Sequence, residues 1–305
     1  MKKILVADKL SNAGTDLLSE SYEVVIKTGL SEDEIIKIIG DFDALLVRSQ
    51  TQVTQKIIDA AKKLKVIGRA GVGIDNIDLD SATEKGIIVV NAPSANTISA
   101  AEHAFGLMLA TARNIPQGNE SLKNGKWERS NLMGTELYGK TLGLVGLGRI
   151  GAEVAKRALA FEMDVLAHDP FVSDDRAKTL GVELVTIEEL FSRSDFISLH
   201  TALVEQTKGI VNKKLLSNSK ENLIIINAAR GPLINSKDLI SAIESKTLKA
   251  AAIDVFDQEP AIDDPLTKVD QIVVTPHLGA STSEAQDRAA VVVAEEVNTI
   301  LSGGA

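Results

Sequence analysis

Short apolar runs recur along the N-terminal third of the chain, at 4–7, 23–27, 44–48, 66–70 and 87–90, and polar, helix-compatible stretches separate them. Runs of this length suit strands buried on both faces and are too short for helices. Between them, apolar residues fall at helical spacing. One example is Glu32-Asp33-Glu34-Ile35-Ile36-Lys37-Ile38-Ile39, which Ser31 is placed to cap and Gly40 to end. Strand alternating with helix predicts a parallel, doubly wound sheet, and these first five strands complete one unit. An Ala-, Leu- and Met-rich helix is expected over 97–113, with Pro116 and Gly125 marking its end and the loop beyond. A second alternating series then places strands at 141–147, 164–167, 196–199, 223–227, 250–255 and 271–274, six in all, the number of a full dinucleotide-binding sheet. The last pattern, 283–301, reads as one helix striped with Val and Ala; its return onto the first sheet makes that domain discontinuous.

The expected fold class is thus α/β, with two Rossmann-like or flavodoxin-like doubly wound parallel-sheet domains. Residues 1–94 and 283–305 form one domain, and 95–282 form a second inserted into it. Composition sharpens this picture. Aromatics are only 3% of the 305 residues, so the cores must be built from Ile, Leu, Val and Ala. With 44% hydrophobic and 25% charged residues, intrinsic disorder is excluded. The absence of Cys removes disulfides, thiolate metal sites and cysteine nucleophiles, and no metal site is expected. A net charge of −9 disfavours nucleic acid as the main partner. Asp8 and Lys9 break the apolar start well short of a secretory core, and no run is long enough to span a membrane. The expectation is a soluble cytoplasmic protein.

The sharpest local signal is Gly146-Leu147-Gly148-Arg149-Ile150-Gly151, between an expected strand and an expected helix. Gly146 permits the tight turn, Gly148 lets backbone approach a pyrophosphate, and Gly151 lets helix pack on strand. The helix N-terminus then offers N–H donors to phosphates. An acidic residue is required about 20 positions on, at the end of the next strand. Asp169 stands there, after Val165-Leu166-Ala167-His168. Its carboxylate can accept from ribose hydroxyls and repel a 2′-phosphate, which favours NAD over NADP.

Four histidines allow each to be weighed. His103 sits inside the long Ala-rich helix and reads as a packed or exposed helical residue. His168 could line the adenosine end, and His200 ends a strand. His277 follows a buried-looking strand, in Thr275-Pro276-His277-Leu278-Gly279-Ala280. Ligands of doubly wound sheets bind at the carboxyl ends of strands. Two other strand-end residues share that position: Arg230, after an apolar run, and Glu259, in the loop after 250–256. Oxidation of a 2-hydroxy acid needs a cation for the carboxylate, which Arg230 suits by its fork geometry. It also needs an acid/base for the hydroxyl proton, which His277 suits, with Glu259 to orient the imidazole. A Ser-His-acid hydrolase lacks its G-x-S-x-G elbow here.

Together these segments resemble the D-isomer-specific 2-hydroxyacid dehydrogenase family. The resemblance runs in order through Arg69-Ala70-Gly71-Val72-Gly73-Ile74-Asp75-Asn76-Ile77-Asp78, Asn91-Ala92-Pro93, Ser99-Ala100-Ala101-Glu102-His103, the glycine turn, Asn227-Ala228-Ala229-Arg230-Gly231, Asp254-Val255-Phe256-Asp257-Gln258-Glu259-Pro260 and Pro276-His277-Leu278-Gly279-Ala280-Ser281-Thr282. It implies a cofactor domain inserted in a smaller flavodoxin-like domain, NAD as cofactor, a small anionic 2-hydroxy or 2-keto acid as substrate, and a homodimer formed through the NAD-binding domain. Arg230, Glu259 and His277 match the family's catalytic positions. Val72, Arg149, Ile150, Asp169, Thr201, Ala228, Asp254, His277, Gly279 and Ala280 match cofactor contacts, together with the turn glycines. Arg48, Gly71, Val72, Gly73 and Asn96, with Arg230, match the side that grips substrate. Val47-Arg48-Ser49, Gly125-Lys126-Trp127-Glu128-Arg129 and Met133-Gly134-Thr135-Glu136-Leu137 resemble the members that oxidise 3-phospho-D-glycerate to 3-phosphohydroxypyruvate, the first step of the phosphorylated route to L-serine.

Val72 stands where many relatives carry Thr, Ala202 replaces a frequent Pro, Pro232 replaces a frequent Gly, and Asn235-Ser236 replaces a frequent Asp-Glu; none of these removes a catalytic group. The length implies a short form without C-terminal regulatory domains, and hinges are expected near 93–97 and 280–284. The basic cluster Lys123, Lys126 and Arg129 reads equally as a phosphate aid, across a dimer interface, or as a solvated face. Two alternatives stay open: a glyoxylate or hydroxypyruvate reductase with the same trio, and a non-catalytic NAD-sensing protein of the corepressor kind. Retention of Arg230, Glu259 and His277 together argues against the second.

Overall fold

The computed structural model describes residues 1–303. The chain divides into two compact units, Met1–Asn96 with the segment from Ala280 onward, and Thr97–Gly279.

In the first unit, β1 (Lys3–Val6), β2 (Glu23–Ile26), β3 (Ala44–Val47), β4 (Val66–Arg69) and β5 (Ile88–Asn91) form one sheet in the order β2-β1-β3-β4-β5. Every pair is parallel. Register and the two-residue period of strands sort the apolar side chains onto two faces. Leu5, Leu45 and Ile67 lie side by side on one face, over Ile35 and Ile57. Ile4, Ala44 and Val66 line the other, under Val293 and Val297. The latter come from helix Ser283–Ser302, whose first turn is capped by Thr282 and whose end is turned by Gly303 at φ 90°. Helix Glu32–Ile38 begins with a reciprocal capping box between Ser31 and Glu34. It does not end at Gly40 as expected. A 3-10 turn, Ile39–Asp41, carries the chain through that glycine.

The second unit contains seven parallel strands, one more than the sequence pattern predicts. They are β6 (Thr141–Val145), β7 (Asp164–His168), β8 (Glu183–Leu184), β9 (Phe196–Leu199), β10 (Ile224–Asn227), β11 (Ala250–Ile253) and β12 (Ile272–Val274). Their order is β12-β11-β10-β9-β6-β7-β8. The extra strand, β8, is a two-residue edge pairing, too short to carry a periodic signal. Pro116 also departs from expectation. It stands in the first turn of a second helix, Ile115–Lys123, where a missing N–H costs nothing. Asn114, at φ 52°, separates this helix from Thr97–Ala112. Among the described residues, no helix is long and apolar enough to cross a membrane.

Strand order reverses between β6 and β9, and there β6 stops short of 147 because Gly146 turns away at φ 96°. A Cβ at Gly146 would lie 2.8 Å from the backbone of His200, so only glycine lets the two strand ends meet. The His200 imidazole is tucked under this junction, with Nε2 2.8 Å from Ser198 Oγ. Burial pushes its pKa down to about 4.

Two stability effects follow. A Cβ at Gly14, in helix Asn12–Ser19, would sit 2.5 Å from the Ala290 carbonyl oxygen of helix Ser283–Ser302. Helix propensity alone favours Gly14→Ala by about 1 kcal/mol, yet this overlap should make the variant less stable by about 1–3 kcal/mol, read as a lower urea midpoint. For His200, the folded state keeps the ring neutral while the unfolded chain takes up a proton below about 6.5. The contribution present at neutral pH is therefore lost as pH falls toward 4. Between pH 7 and 4.5, wild type should lose roughly 2–3 kcal/mol more than His200→Gln in urea titrations; parallel losses would contradict this origin.

Candidate active site

Loops at the carboxyl ends of β10, β11 and β12 converge on one edge of the second unit's sheet. After β10 the chain turns on the buried Asn227, whose Nδ2 donates to the Arg230 carbonyl at 2.9 Å and whose Oδ1 accepts from the Ala229 amide at 3.1 Å. Arg230 Nη1 donates to the Ala229 carbonyl at 2.7 Å. The next residue, Gly231, is pressed against the chain after β11: a Cβ there would fall 2.1 Å from the Phe256 carbonyl carbon. Any side chain at Gly231 would push the Arg230 turn off the segment that leads to Glu259.

Glu259 is held through both oxygens. Oε1 accepts from the Phe256 amide at 3.1 Å, and Oε2 lies 2.7 Å from His277 Nδ1. With Nδ1 committed to a carboxylate, Nε2 is the imidazole atom left for another partner, and the ring is half-exposed. His277 sits at φ 54°, a left-handed conformation that costs of order 1 kcal/mol in a non-glycine residue.

Asp254, at the end of β11, holds the turn in that shape. Its carbonyl accepts the His277 amide at 2.8 Å. Oδ1 accepts from Thr275 Oγ1 at 2.6 Å and from the Leu278 amide at 2.7 Å, and Oδ2 accepts from the Gly279 amide at 2.9 Å. The residue is wholly buried. Burial is the largest single influence on its carboxyl and pushes the pKa up. The hydrogen bonds from His103, Thr275 and the Leu278 amide outweigh it and leave the carboxyl below its ordinary value. Asp254 is therefore an anion whose oxygens serve the turn.

The glycine turn has the form a dinucleotide requires. Gly148 caps helix Arg149–Ala160, and a Cβ there would meet no atom within 4 Å, so space opens above the helix N-terminus. A Cβ at Gly151 would lie 2.3 Å from the Gly146 carbonyl oxygen, so helix and turn touch directly. Asp169 leans over the turn, its Oδ2 accepting from the Leu147 amide at 2.8 Å and its Oδ1 from the Phe171 amide at 2.9 Å. A carboxylate has about four acceptor sites, so ribose hydroxyls can still be accommodated. Beside it lies an open depression of about 590 Å³ lined by His168, Asp169, Pro170, Leu184, Val185, Thr186, Ile187, Glu188 and Glu189. His168 fixes one wall through Nδ1, 3.1 Å from the Val185 carbonyl. The depression's acidic lining, from Asp169, Glu188 and Glu189, disfavours a further phosphate there. Ile150 lies in the first turn of the helix, and Thr201 stands opposite Gly146, across the β6–β9 reversal. Ala228 lies beside Gly279. These residues fit an NAD-type dinucleotide.

The remaining expected site residues belong to the first unit, where strand order reverses between β1 and β3. Asp8, buried beyond the end of β1, accepts from the Arg48 amide at 2.6 Å, the Thr51 amide at 3.2 Å and Thr51 Oγ1 at 2.6 Å. Asn76 Nδ2 donates to the carbonyls of Arg48 and Thr51 at 2.8 and 2.7 Å. The turn that carries Arg48 is thus clamped from two sides. In the 71–73 loop the Gly71 amide donates to the Arg69 carbonyl at 2.8 Å, and the Val72 carbonyl accepts from Asn91 Nδ2 at 2.6 Å. Of the three amides expected to grip an anion, that of Gly71 is spent within the loop. Asn96 closes the first unit's N-terminal segment, and Ala280 opens its returning one.

Sequence reasoning did not single out Asn227, Asp8 or Asn76, and it left His103 without a task. A polar residue directly after an apolar strand is the signal that marks Asn227 and Asp8. Nothing local marks His103, a helical residue whose partner lies at the end of a strand far along the chain.

Comparison with known proteins gives a consistent outcome. Residues 105–279 match the model of the D-isomer specific 2-hydroxyacid dehydrogenase NAD binding domain. The D-3-phosphoglycerate dehydrogenase of Methanocaldococcus jannaschii is 52% identical over 304 residues, covering 99% of this chain and 58% of the relative. That of Synechocystis sp. is 50% identical over 303 residues, covering 99% of this chain and 55% of the relative. The chain therefore spans little more than half the length of these relatives. Among solved structures, the TT0316 protein of Thermus thermophilus superposes with a TM-score of 0.91 at 35% identity, covering 99% of this chain and 97% of that one. The chain belongs to the D-isomer-specific 2-hydroxyacid dehydrogenase family, and its second unit contains that family's NAD-binding domain.

Proposed function

We propose that this chain oxidises 3-phospho-D-glycerate to 3-phosphohydroxypyruvate with NAD, the opening step of the phosphorylated route to L-serine. The observation that carries the chemistry is the 2.7 Å contact between Glu259 and His277 Nδ1, on a turn that leaves Nε2 to a substrate hydroxyl. The named substrate is supported by relatives of about half identity that are D-3-phosphoglycerate dehydrogenases.

In this reading the second unit holds NAD through the Gly146–Gly151 turn, Arg149, Ile150, Asp169 and Thr201. When bound there, NAD would supply the acceptor for the hydride that leaves the substrate's C2. His277 Nε2 takes the hydroxyl proton as the carbonyl forms. Glu259 keeps the imidazole oriented and balances the charge of the imidazolium, which is worth most where water is thin. Arg230 binds the carboxylate as a two-pronged donor, held at its angle by Asn227 and Gly231. On the first unit, the amides of Val72 and Gly73 are assigned to the substrate's carboxylate and Arg48 to its phosphate. The hinges between the substrate domain and the NAD domain are assigned to the segments near 93–97 and 280–284.

The reading includes a cytoplasmic homodimer formed through the NAD-binding unit. Its support is the apolar surface of that unit: Trp127 is 81% exposed and Met133 82%, with Leu122 and Tyr138 also exposed, which a second copy would cover. Lys123, Lys126 and Arg129 lie on the same segment and could then reach a neighbouring substrate's phosphate.

NADH formation from 3-phosphoglycerate, set beside glycerate, lactate and the reverse reaction on glyoxylate and hydroxypyruvate, tests the assignment directly. His277→Ala should lower turnover by ~10²–10⁴-fold while NAD affinity, measured by titration, stays within a few-fold. Unchanged turnover removes His277 from the chemistry. Arg48→Ala and Arg129→Ala should raise KM for the phosphorylated substrate by about tenfold, the worth of one lost charged hydrogen bond, and leave glyoxylate reduction unaffected. Equal losses on both substrates favour the unphosphorylated reductase.

A further inference from the structure

Helix Thr97–Ala112 packs across β10, β11 and β12, and one of its side chains reaches the strand ends. His103 Nε2 stands 3.1 Å from Asp254 Oδ1 and 3.3 Å from Thr275 Oγ1. Asp254 Oδ1 can only accept, as can any ionised carboxylate oxygen, so Nε2 carries the proton that is shared with it. The donors on Asp254 then fall into two groups. Thr275, Leu278 and Gly279 belong to the turn that carries His277, whereas His103 comes from a separate helix.

That division has a mechanical consequence. Two main-chain bonds, from the Thr275 amide to the Ile253 carbonyl and from the His277 amide to the Asp254 carbonyl, hold the start of the turn on β11. With carboxylate donors from the turn alone, the 278–279 limb beyond them could still shift together with the Asp254 side chain and disturb the His277 ring. A donor on a helix packed against the sheet ties the carboxylate to the rigid frame. His277 needs that tie, because its left-handed backbone at φ 54° relaxes if the turn loosens. Its 2.7 Å contact with Glu259 depends on the ring staying in place. The geometry points to His103 as a positioning residue. By anchoring Asp254 from helix Thr97–Ala112, it fixes the 275–279 turn and sets the His277 imidazole against Glu259.

This inference rests on the reading of His277 as the proton acceptor, and the experiment separates the two. His103→Leu removes the donor. His103→Gln restores an N–H close to the place of Nε2, and His103→Asn, whose amide reaches only as far as Nδ1, does not. Steady-state kinetics on 3-phosphoglycerate and NMR-detected amide exchange at Leu278 and Gly279 are read for all three. In H103L, kcat should fall at least fivefold with KM for the hydroxy acid unchanged within twofold, and both amides should exchange at least tenfold faster. H103Q should recover half or more of kcat and slow the exchange again. An unchanged kcat in H103L, or an H103Q as impaired as H103L, overturns the proposal. Should H103L not fold, equal kcat values in H103Q and H103N overturn it instead. A wild-type enzyme inactive on every 2-hydroxy acid would defeat the functional reading, and the amide exchange would still decide whether His103 holds the turn.

Discussion

The geometry of the second unit's site depends on one buried carboxylate. Asp254 emerges from β11 with no exposed surface, and such a group is tolerable only when its charge is met by donors. Those donors are Thr275, the amides of Leu278 and Gly279, and His103. Satisfying the carboxylate therefore shapes the turn, and shaping the turn delivers His277 to Glu259. The desolvation cost of Asp254 and the placement of the imidazole are two aspects of a single arrangement.

Glycines do the complementary work of allowing backbones to touch. Gly146 meets the His200 backbone, Gly151 meets Gly146, and Gly231 meets the chain at Phe256. In each case a Cβ would separate segments that must be adjacent for a phosphate turn or a strand-end loop to form. The first unit uses the same logic without the glycine: Asp8 and Asn76 clamp the Arg48 turn at the point where its own strand order reverses. Both sheets thus concentrate their polar, hydrogen-bonded residues at carboxyl strand ends, where neighbouring loops diverge and leave a crevice.

Much of the architecture was legible in advance. Short apolar runs with helical stretches between them specify parallel sheets covered on both faces, because strand and helix periods differ and each must bury its own apolar side. The exceptions share a cause. β8 is a two-residue pairing made only because β7 lies beside it, and Pro116 looks like a terminator unless one knows that a new helix begins at Ile115. The strand-end location of Arg230, Glu259 and His277 could be read from the runs that precede them. The 2.7 Å contact between Glu259 and His277 could not.

The sequence by itself determined the fold class, the glycine turn with its acidic partner, and the residue types that end each strand. These are encoded within stretches of ten to thirty residues, where periodicity, turn chemistry and spacing act locally. Tertiary structure alone decided that His103, from a helix that reads as mere packing, would meet Asp254, and that Asp254 would serve a turn more than twenty residues further on. Such pairings arise because a buried charge takes its donors from whatever the fold brings within about 3 Å, and proximity in a doubly wound sheet is set by strand order, which no local stretch contains.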